Sequence, residues 1–291
     1  MFQINGPIFA AVRLDASATE VIRQAADIAK HNGVKLYVCH VLPDLVSVRP
    51  LFPHLMLDTA FKSAEFEAEA RKQLIARVGA FISPESEDCE VLIEHGAEYS
   101  AIVEAAERAG SALIVVGHGS QERGVSGIAE RTVRYARCPV LVARPSREGC
   151  VLAATDFSDP ATPAVEAAAA AAERRGKDLY IIHAFDVLRF SLAPDASSMP
   201  SLLPADICGE MEKVLQKRLD DVVREVSAKS GILVREAPDT AILDAADDLP
   251  ADLIVVGTHG KKGLSRLALG SVAEAVVRRA ACSVLVVRLR A

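Results

Sequence analysis

The sequence has few aromatic residues: they make up 4% of the 291 residues, and Trp is absent. Hydrophobic residues nevertheless account for 51% of the chain, which excludes a disordered protein. The core volume must therefore come from Ala, Val, Leu and Ile, as in parallel sheets that helices cover on both faces. The length is too great for one ordinary domain and fits two domains of about 145 residues each.

The chain also lacks an excess of positive charge and a long apolar run. Its net charge of −6 argues against nucleic acid or an anionic membrane as the main partner. No apolar run reaches the ~18 residues that a transmembrane helix needs, so no membrane insertion is expected. The first residues, MFQINGP, lack the basic segment and the cleavage site of a signal peptide. We therefore expect a cytoplasmic location.

Sequence patterns of metal sites and of common ATP-hydrolysing enzymes are missing as well. The six Cys form no CxxC pair, and the seven His show no ligand spacing, so we expect reduced structural thiols and no metal site. Neither a Walker A motif, G-x4-G-K-[ST], nor a set of kinase motifs occurs. No catalytic residue is predicted from these patterns.

The two halves of the sequence are similar to each other at an offset of 140 to 144 residues. Residues 112–118 (ALIVVGH) return at 252–258 (DLIVVGT), and residues 138–144 (CPVLVAR) return at 282–288 (CSVLVVR). Asp15 and His40 of the first half correspond to Asp156 and His183 of the second. This ordered similarity predicts two tandem domains, 1–146 and 149–291, joined by the short polar linker Pro145–Gly149.

Within each half, apolar β-branched runs alternate with helical patterns, which is typical of βαβ units and a parallel sheet. In the second half the pattern predicts strands at 150–155, 179–184, 231–236, 252–257 and 283–288, and helices at 160–175, 205–229, 239–248 and 270–281. Long loops are predicted at 43–57 and 186–204. The expected fold is α/β, with two tandem doubly wound parallel five-stranded sheets.

A glycine-rich loop follows the fourth strand of the second half. Residues 257–271 read GTHGKKGLSRLALGS, with the spacing G-x2-G-x9-G-S. Gly257 and Gly260 would let the backbone approach a ligand closely. Gly270 and Ser271 open a helix whose N–H groups and dipole suit a phosphate, and Ser271 can cap that helix or donate its hydroxyl to the ligand. The alternative is a glycine-punctuated turn before an ordinary capped helix.

The glycine spacing, the preceding LIVVG strand, the Asp after strand one and the internal repeat together resemble the universal stress protein family in its tandem-domain form. The resemblance covers nearly the whole chain and implies a Rossmann-like α/β fold. It also implies that the two halves pack as a pseudo-dimer, with their final strands paired about an approximate two-fold axis. Further association of whole chains into a homodimer is left open.

The resemblance implies that the second half binds an adenine nucleotide, which is ATP, ADP or AMP, with or without Mg²⁺. Asp156, with Thr155 before it, would hold adenine and ribose, and the backbone of Ala184 would line the adenine. His259 is a candidate hydrogen-bond donor in the loop, whereas Lys261, Lys262 and Arg266 are equally consistent with cationic contacts and with a solvated loop face. The positions that would surround ribose and phosphates are Gly257, Gly260, Gly270, Ser271 and Val272.

The first half departs from this loop pattern. Ser120 replaces the second Gly, and counting forward from Gly117 places Glu130 and Arg131 where Gly-Ser should stand. Counting backward from Cys138 instead matches Ser126 and Gly127 to Gly-Ser, with a loop four residues shorter. In both alignments the loop is not expected to wrap a triphosphate, and Glu122 and Glu130 would repel phosphate if they pointed inward.

The predicted function is that of a binding module: a stress-response sensor or regulator that binds adenine nucleotide in its second domain. One alternative is a slow ATP hydrolase, in which His259 would act as the base. The other is an interaction protein that binds no nucleotide, as in relatives that lack the loop.

Overall fold

The computed structural model describes residues 3–43, 59–84, 86–118, 127–186, 205–258 and 269–288. The chain divides into two compact units, Ile4–Pro145 and Ser146–Leu289, apart from a few terminal residues. Each unit is an α/β domain, and we call them the first and the second domain.

The first domain is a parallel five-stranded sheet with the strand order β3-β2-β1-β4-β5. Its strands are β1 (Ile8–Ala11), β2 (Leu36–Leu42), β3 (Cys89–His95), β4 (Leu113–Gly117) and β5 (Val140–Ala143). Its helices are α1 (Ala18–Asn32), α2 (Thr59–Val78), α3 (Glu98–Arg108) and α4 (Ile128–Tyr135).

The second domain repeats this topology, with the strand order β8-β7-β6-β9-β10 and parallel pairing throughout. Its strands are β6 (Val151–Ala154), β7 (Leu179–Ala184), β8 (Ser230–Val234), β9 (Leu253–Gly257) and β10 (Ser283–Val287). Its helices are α5 (Thr162–Arg175), α6 (Ala205–Glu225), α7 (Pro238–Asp248) and α8 (Ser271–Arg279), and a 3₁₀ turn, Asp159–Ala161, precedes α5.

Buried strands form the cores of the two domains. Every residue of β1 and β5, and the first four residues of β4 and β9, are buried, as expected for parallel strands that helices cover on both faces. The helix that follows the first strand is α1 in the first domain and α5 in the second. These helices end at Gly33 and Gly176, both in the left-handed conformation that glycine adopts without strain. The fold class predicted from the sequence is confirmed.

The predicted elements of the second half are all present, and most of their ends agree within two residues. The clearest difference is the predicted helix 205–229, which ends at Glu225, because Ser227 takes a positive φ of 53° that a helix cannot continue through. The loops predicted at 43–57 and 186–204 lie outside the described residues, except for their first residues. No helix in the described ranges is both long and apolar enough to cross a membrane.

Candidate functional site

Three neighbouring strands of the second sheet end at one edge. The parallel registers pair Ala153 with Val255 and Ala154 with Ile182, so the carboxyl ends of β6, β7 and β9 lie side by side. Asp156 follows β6, whereas Ala184 and Gly257 are the last residues of β7 and β9. The structure therefore brings these predicted site residues to the carboxyl edge of adjacent strands, where doubly wound sheets bind ligands.

The segment after β6 is a tight turn that fixes the Asp156 carboxylate. The backbone N–H of Thr155 donates to the carbonyl of Ile182 at 3.0 Å, which continues the sheet by one residue. Asp156 Oδ1 accepts hydrogen bonds from the Ser158 backbone N–H at 3.0 Å and the Ser158 hydroxyl at 2.5 Å. The Thr155 hydroxyl accepts a further bond from the Phe157 N–H at 3.0 Å. Asp156 is thus positioned by its own turn before any ligand arrives.

The ends of the glycine-rich loop are joined to the sheet and to each other. Thr258 N–H donates to the carbonyl of Val287 at 3.0 Å, and Gly270 N–H donates to the carbonyl of Thr258 at 2.8 Å. The loop therefore leaves and returns at the end of β9. The predicted site residues His259 and Gly260, together with Lys261, Lys262 and Arg266, lie outside the described residues.

Helix α8 begins where the loop returns. Gly270 is the N-cap, with φ −62° and ψ 144°, and Ser271 is the first helical residue. This corrects the expectation that Ser271 caps the helix: the capping position belongs to Gly270, which has no side chain to occupy it. The N–H groups of the first helical turn, including those of Ser271 and Val272, have no acceptor within the helix, so they can receive an anion.

The turn after β1 in the first domain has the same hydrogen bonds but a different position. Asp15 Oδ1 accepts bonds from the Ser17 N–H at 2.9 Å and the Ser17 hydroxyl at 2.5 Å. The Ser17 hydroxyl is the main reason that the pKa of Asp15 lies below its usual value of 3.8. Val12 occupies the structural position of Thr155. Asp156 comes one residue after Thr155, whereas Asp15 comes three residues after Val12. The turn of the first domain therefore lies two residues further from its strand.

Two pairs of contacts establish this equivalence. Val12 N–H donates to the carbonyl of Cys39 at 2.9 Å, as Thr155 N–H does to that of Ile182. The Nδ1 atoms of His40 and His183 lie 2.9 Å and 2.7 Å from the carbonyl oxygens of Val12 and Thr155, respectively. Sequence matching alone, which aligns Asp15 with Asp156, does not reveal the two extra residues.

The helix at the corresponding place in the first domain also begins at a glycine N-cap, but it carries a buried glutamate beside that glycine. Gly127 is the N-cap of α4, and Glu130 and Arg131 lie inside the helix. Counting forward along the loop is therefore the wrong alignment, and the backward match from Cys138 agrees better with the structure. The Glu130 carboxylate is buried beside Gly127, where a Cβ atom would stand 2.5 Å from Glu130 Oε2.

Sequence reasoning missed the aromatic surroundings of Asp156. Phe157 has a positive φ of 59°, and its ring centroid lies 4.2 Å from that of the buried His183. The Arg218 guanidinium, on α6, lies 5.3 Å from the Phe157 centroid. The sequence run TDFS contains Phe157, but nothing in it indicates a left-handed backbone or a partner 61 residues away.

Comparisons with known proteins agree with this fold. The model of the universal stress protein family matches residues 5–144 and again residues 150–288. A universal stress protein of Methanocaldococcus jannaschii is 36% identical over 135 residues, which are 46% of this chain and 78% of that protein. A universal stress protein of Mycobacterium tuberculosis is 32% identical over 203 residues, covering 61% of this chain and 59% of that one.

Solved structures of similar fold extend over the whole chain. The crystal structure of a universal stress protein from Archaeoglobus fulgidus has a TM-score of 0.60 at 21% identity, covering 97% of this chain and 96% of that chain. That of a protein described as a putative universal stress protein, from Pseudomonas aeruginosa, has a TM-score of 0.68 at 17% identity, covering 99% and 94%. With both halves matched by one family model, the chain belongs to the universal stress protein family and carries two of its domains in tandem.

Proposed function

We propose that the second domain binds an adenine nucleotide, with ATP as the favoured ligand. We further propose that the protein acts as a stress-response sensor or regulator through this site. One observation carries the proposal: a fixed carboxylate, Asp156, and a helix N-terminus without a side-chain cap follow neighbouring strands, β6 and β9, at the same edge of the sheet. A nucleotide needs both an acceptor for its ribose or base and donors for its phosphates.

The proposed roles follow from the edge positions of the described residues and, for His259 and Gly260, from the glycine motif of the sequence. Asp156, next to Thr155, accepts hydrogen bonds from adenine or ribose, and the backbone of Ala184 lines the adenine at the end of β7. Gly257, Gly260, Gly270, Ser271 and Val272 surround the ribose and phosphates, and His259 donates a hydrogen bond from the loop. The binding is proposed with or without Mg²⁺, and with ADP or AMP as the competing ligands.

The first domain is proposed not to bind ATP. Its Asp15 turn stands two residues further from the strand, and Ser120 replaces a loop glycine. The Arg77 side chain donates to the carbonyl groups of Asp15 and Leu14, at 2.8 Å and 3.1 Å, so the turn is already engaged by α2. The site of the second domain is therefore not reproduced.

The direct test is mass spectrometry of nucleotide released from freshly purified, heat-denatured protein, followed by calorimetric titration with ATP. We expect adenine nucleotide in the released fraction. Asp156→Ala should weaken ATP binding about 10- to 150-fold, the range that losing a hydrogen bond between charged and polar groups gives. The matched variant Asp15→Ala should bind like the parent.

Two results would contradict the proposal. If the parent neither carries nor binds adenine nucleotide, the alternative of an interaction protein without nucleotide is favoured. If Asp15→Ala weakens binding as much as Asp156→Ala, the site is not confined to the second domain. Release of phosphate from ATP by the purified protein, abolished in Asp156→Ala, would support the slow-hydrolase alternative.

A further inference from the structure

Asp156 is followed by a residue in an unusual backbone conformation. Phe157 has a φ of 59°, in the left-handed region that residues with a side chain rarely adopt. Such a conformation persists only when the surrounding structure holds it, and it is found disproportionately at functional sites. Contacts around Phe157 must therefore hold this conformation.

Three further side chains pack in a series with this ring, and we call the four together the ring stack: Arg218, Phe157, His183 and Phe185. The Phe157 centroid lies 4.2 Å from the His183 ring, and the His183 ring stacks on Phe185 at 6.4 Å with an interplanar angle of 12°. Arg218 adds its guanidinium at 5.3 Å from the Phe157 centroid, within the range of a cation–π contact. His183 and Phe185 are both 5% exposed and give the stack a rigid base.

The base of the stack is also bonded to the turn. His183 Nδ1 lies 2.7 Å from the carbonyl oxygen of Thr155, and Thr155 directly precedes Asp156. A carbonyl oxygen only accepts, so Nδ1 carries the proton and donates this bond. The imidazole thus contacts the turn twice, through the Thr155 carbonyl and through the Phe157 ring.

The first domain keeps the Asp turn and the histidine but not the rest of the stack. Ala16 stands between Asp15 and Ser17 where Phe157 stands between Asp156 and Ser158. Leu42 occupies the place of Phe185, two residues after the histidine of the second strand. The fully buried Leu74 of α2 corresponds to the fully buried Leu219 of α6. Gln73 therefore takes the position of Arg218 in the first domain.

The turn therefore contacts the helix after the second strand, α2 or α6, through different residues in the two domains. In the first domain Arg77 holds the backbone carbonyl groups of the turn. In the second domain Arg218 and His183 contact the ring of Phe157, the residue that follows Asp156 in the turn. The ring stack is confined to the domain whose glycine-rich loop is intact.

We propose that Phe157 and Arg218 are positioning residues of the nucleotide site: the ring stack holds the turn in its left-handed conformation and so presets the Asp156 carboxylate for the ligand. This inference rests on the proposed function of the second domain. It identifies two residues that do not need to touch the nucleotide, one of them on α6, as determinants of its affinity.

Substitutions at Phe157 distinguish the effect of the ring on ATP affinity from the effect of the backbone conformation. Phe157→Ala removes the stack and leaves a residue that resists a positive φ, so ATP affinity should fall about tenfold. Phe157→Gly also removes the stack but adopts φ 59° without strain, so the loss should be smaller, about threefold. Phe157→Tyr retains the ring and should bind ATP within about twofold of the parent.

Arg218 offers a substitution with little risk to the fold, because its side chain is exposed. Arg218→Ala should weaken ATP binding about threefold, the effect of losing one exposed cation–π contact on the ring. Lys217→Ala removes a neighbouring exposed charge on the same helix and serves as the matched control, with the affinity of the parent expected.

A second measurement needs no nucleotide. The Ser158 amide proton is bonded to Asp156 Oδ1, so its exchange with solvent, followed by NMR, reports whether the turn is held. Exchange should be faster in Phe157→Ala and Arg218→Ala and unchanged in Lys217→Ala. If the parent binds no nucleotide, the proposed function fails. The exchange rates still test whether the ring stack holds the turn.

The inference is overturned if Phe157→Ala binds ATP as tightly as the parent. It is equally overturned if the Ser158 amide exchanges at the same rate in parent, Phe157→Ala and Arg218→Ala. A role in stability alone would lower the free energy of unfolding of Phe157→Ala without changing either readout.

Discussion

At the scale of single residues, Asp252, just before β9, is a buried charge with several partners. Its side chain is 2% exposed and pairs with Arg175 and with Lys177, whose Nζ lies 2.8 Å from Asp252 Oδ2. Asp252 Oδ1 accepts a bond from the Arg147 N–H at 3.0 Å. The cluster joins the linker, the end of α5 and the start of β9, whereas Ala112 occupies the corresponding place in the first domain.

We predict that Asp252→Asn lowers the free energy of unfolding by about 3 kcal/mol, because removing one member of a buried ion pair leaves the other charges uncompensated. Urea unfolding followed by circular dichroism measures this loss. Asp178→Asn is the control: it removes the partner of Lys229 in an exposed pair, which should contribute nothing measurable. Equal stability of the parent and Asp252→Asn would show that the cluster contributes no stability.

The same cluster predicts a dependence on pH. Burial alone would raise the pKa of Asp252, but the hydrogen bonds from Lys177 and the Arg147 N–H and the charges of Arg175 and Lys177 outweigh it and lower the pKa below 3.8. A carboxyl with a lowered pKa in the folded state stabilises the protein above its unfolded pKa. This contribution should be lost as the pH falls below about 4 and through the folded-state pKa, and it should be absent from Asp252→Asn.

At the scale of secondary-structure elements, the start of α8 allows a test of the phosphate position. Gly270 has an extended conformation, φ −62° and ψ 144°, that any residue adopts, so Gly270→Val should leave the fold intact. A branched Cβ would stand where phosphate oxygens approach the helix N-terminus, so ATP affinity should fall about 10- to 150-fold. Calorimetry measures the affinity, and circular dichroism checks the fold.

The matched substitution in the first domain is Gly127→Val, at the N-cap of α4. Its Cβ would stand 2.5 Å from Glu130 Oε2, but that atom is the end of a flexible side chain that can move aside. ATP affinity should stay at the parent value. Tight binding by a correctly folded Gly270→Val would mean that the glycine-rich loop is structural.

The elements themselves could largely be predicted from the sequence, because apolar periodicity and the internal repeat determine them. The sequence pattern predicts strand β7 with its observed ends, and it extends α6 too far only because a Ser at positive φ gives no sequence signal. The carboxyl-edge position of Asp156, Ala184 and Gly257 also follows from the βαβ order. The ring stack could not be predicted, since Arg218 and Phe157 meet through the packing of α6 on the sheet.

At the scale of the whole molecule, the two domains share one fold but differ in the residues at the carboxyl edges of their sheets. Both domains keep the Asp turn and a glycine N-cap, yet the second combines them with the ring stack and an intact glycine motif. The first has two extra residues before its turn and an arginine bound to it. The two domains therefore differ at the edge where the nucleotide site of the second domain is proposed.

Calorimetric titration of the whole parent chain with ATP tests this account most directly, because it counts the sites. The account predicts one ATP per chain, and a titration of Asp156→Ala over the same concentrations should show that this site is lost. Two sites of comparable affinity per chain would contradict the assignment to the second domain, and the absence of any site would contradict nucleotide binding by this protein.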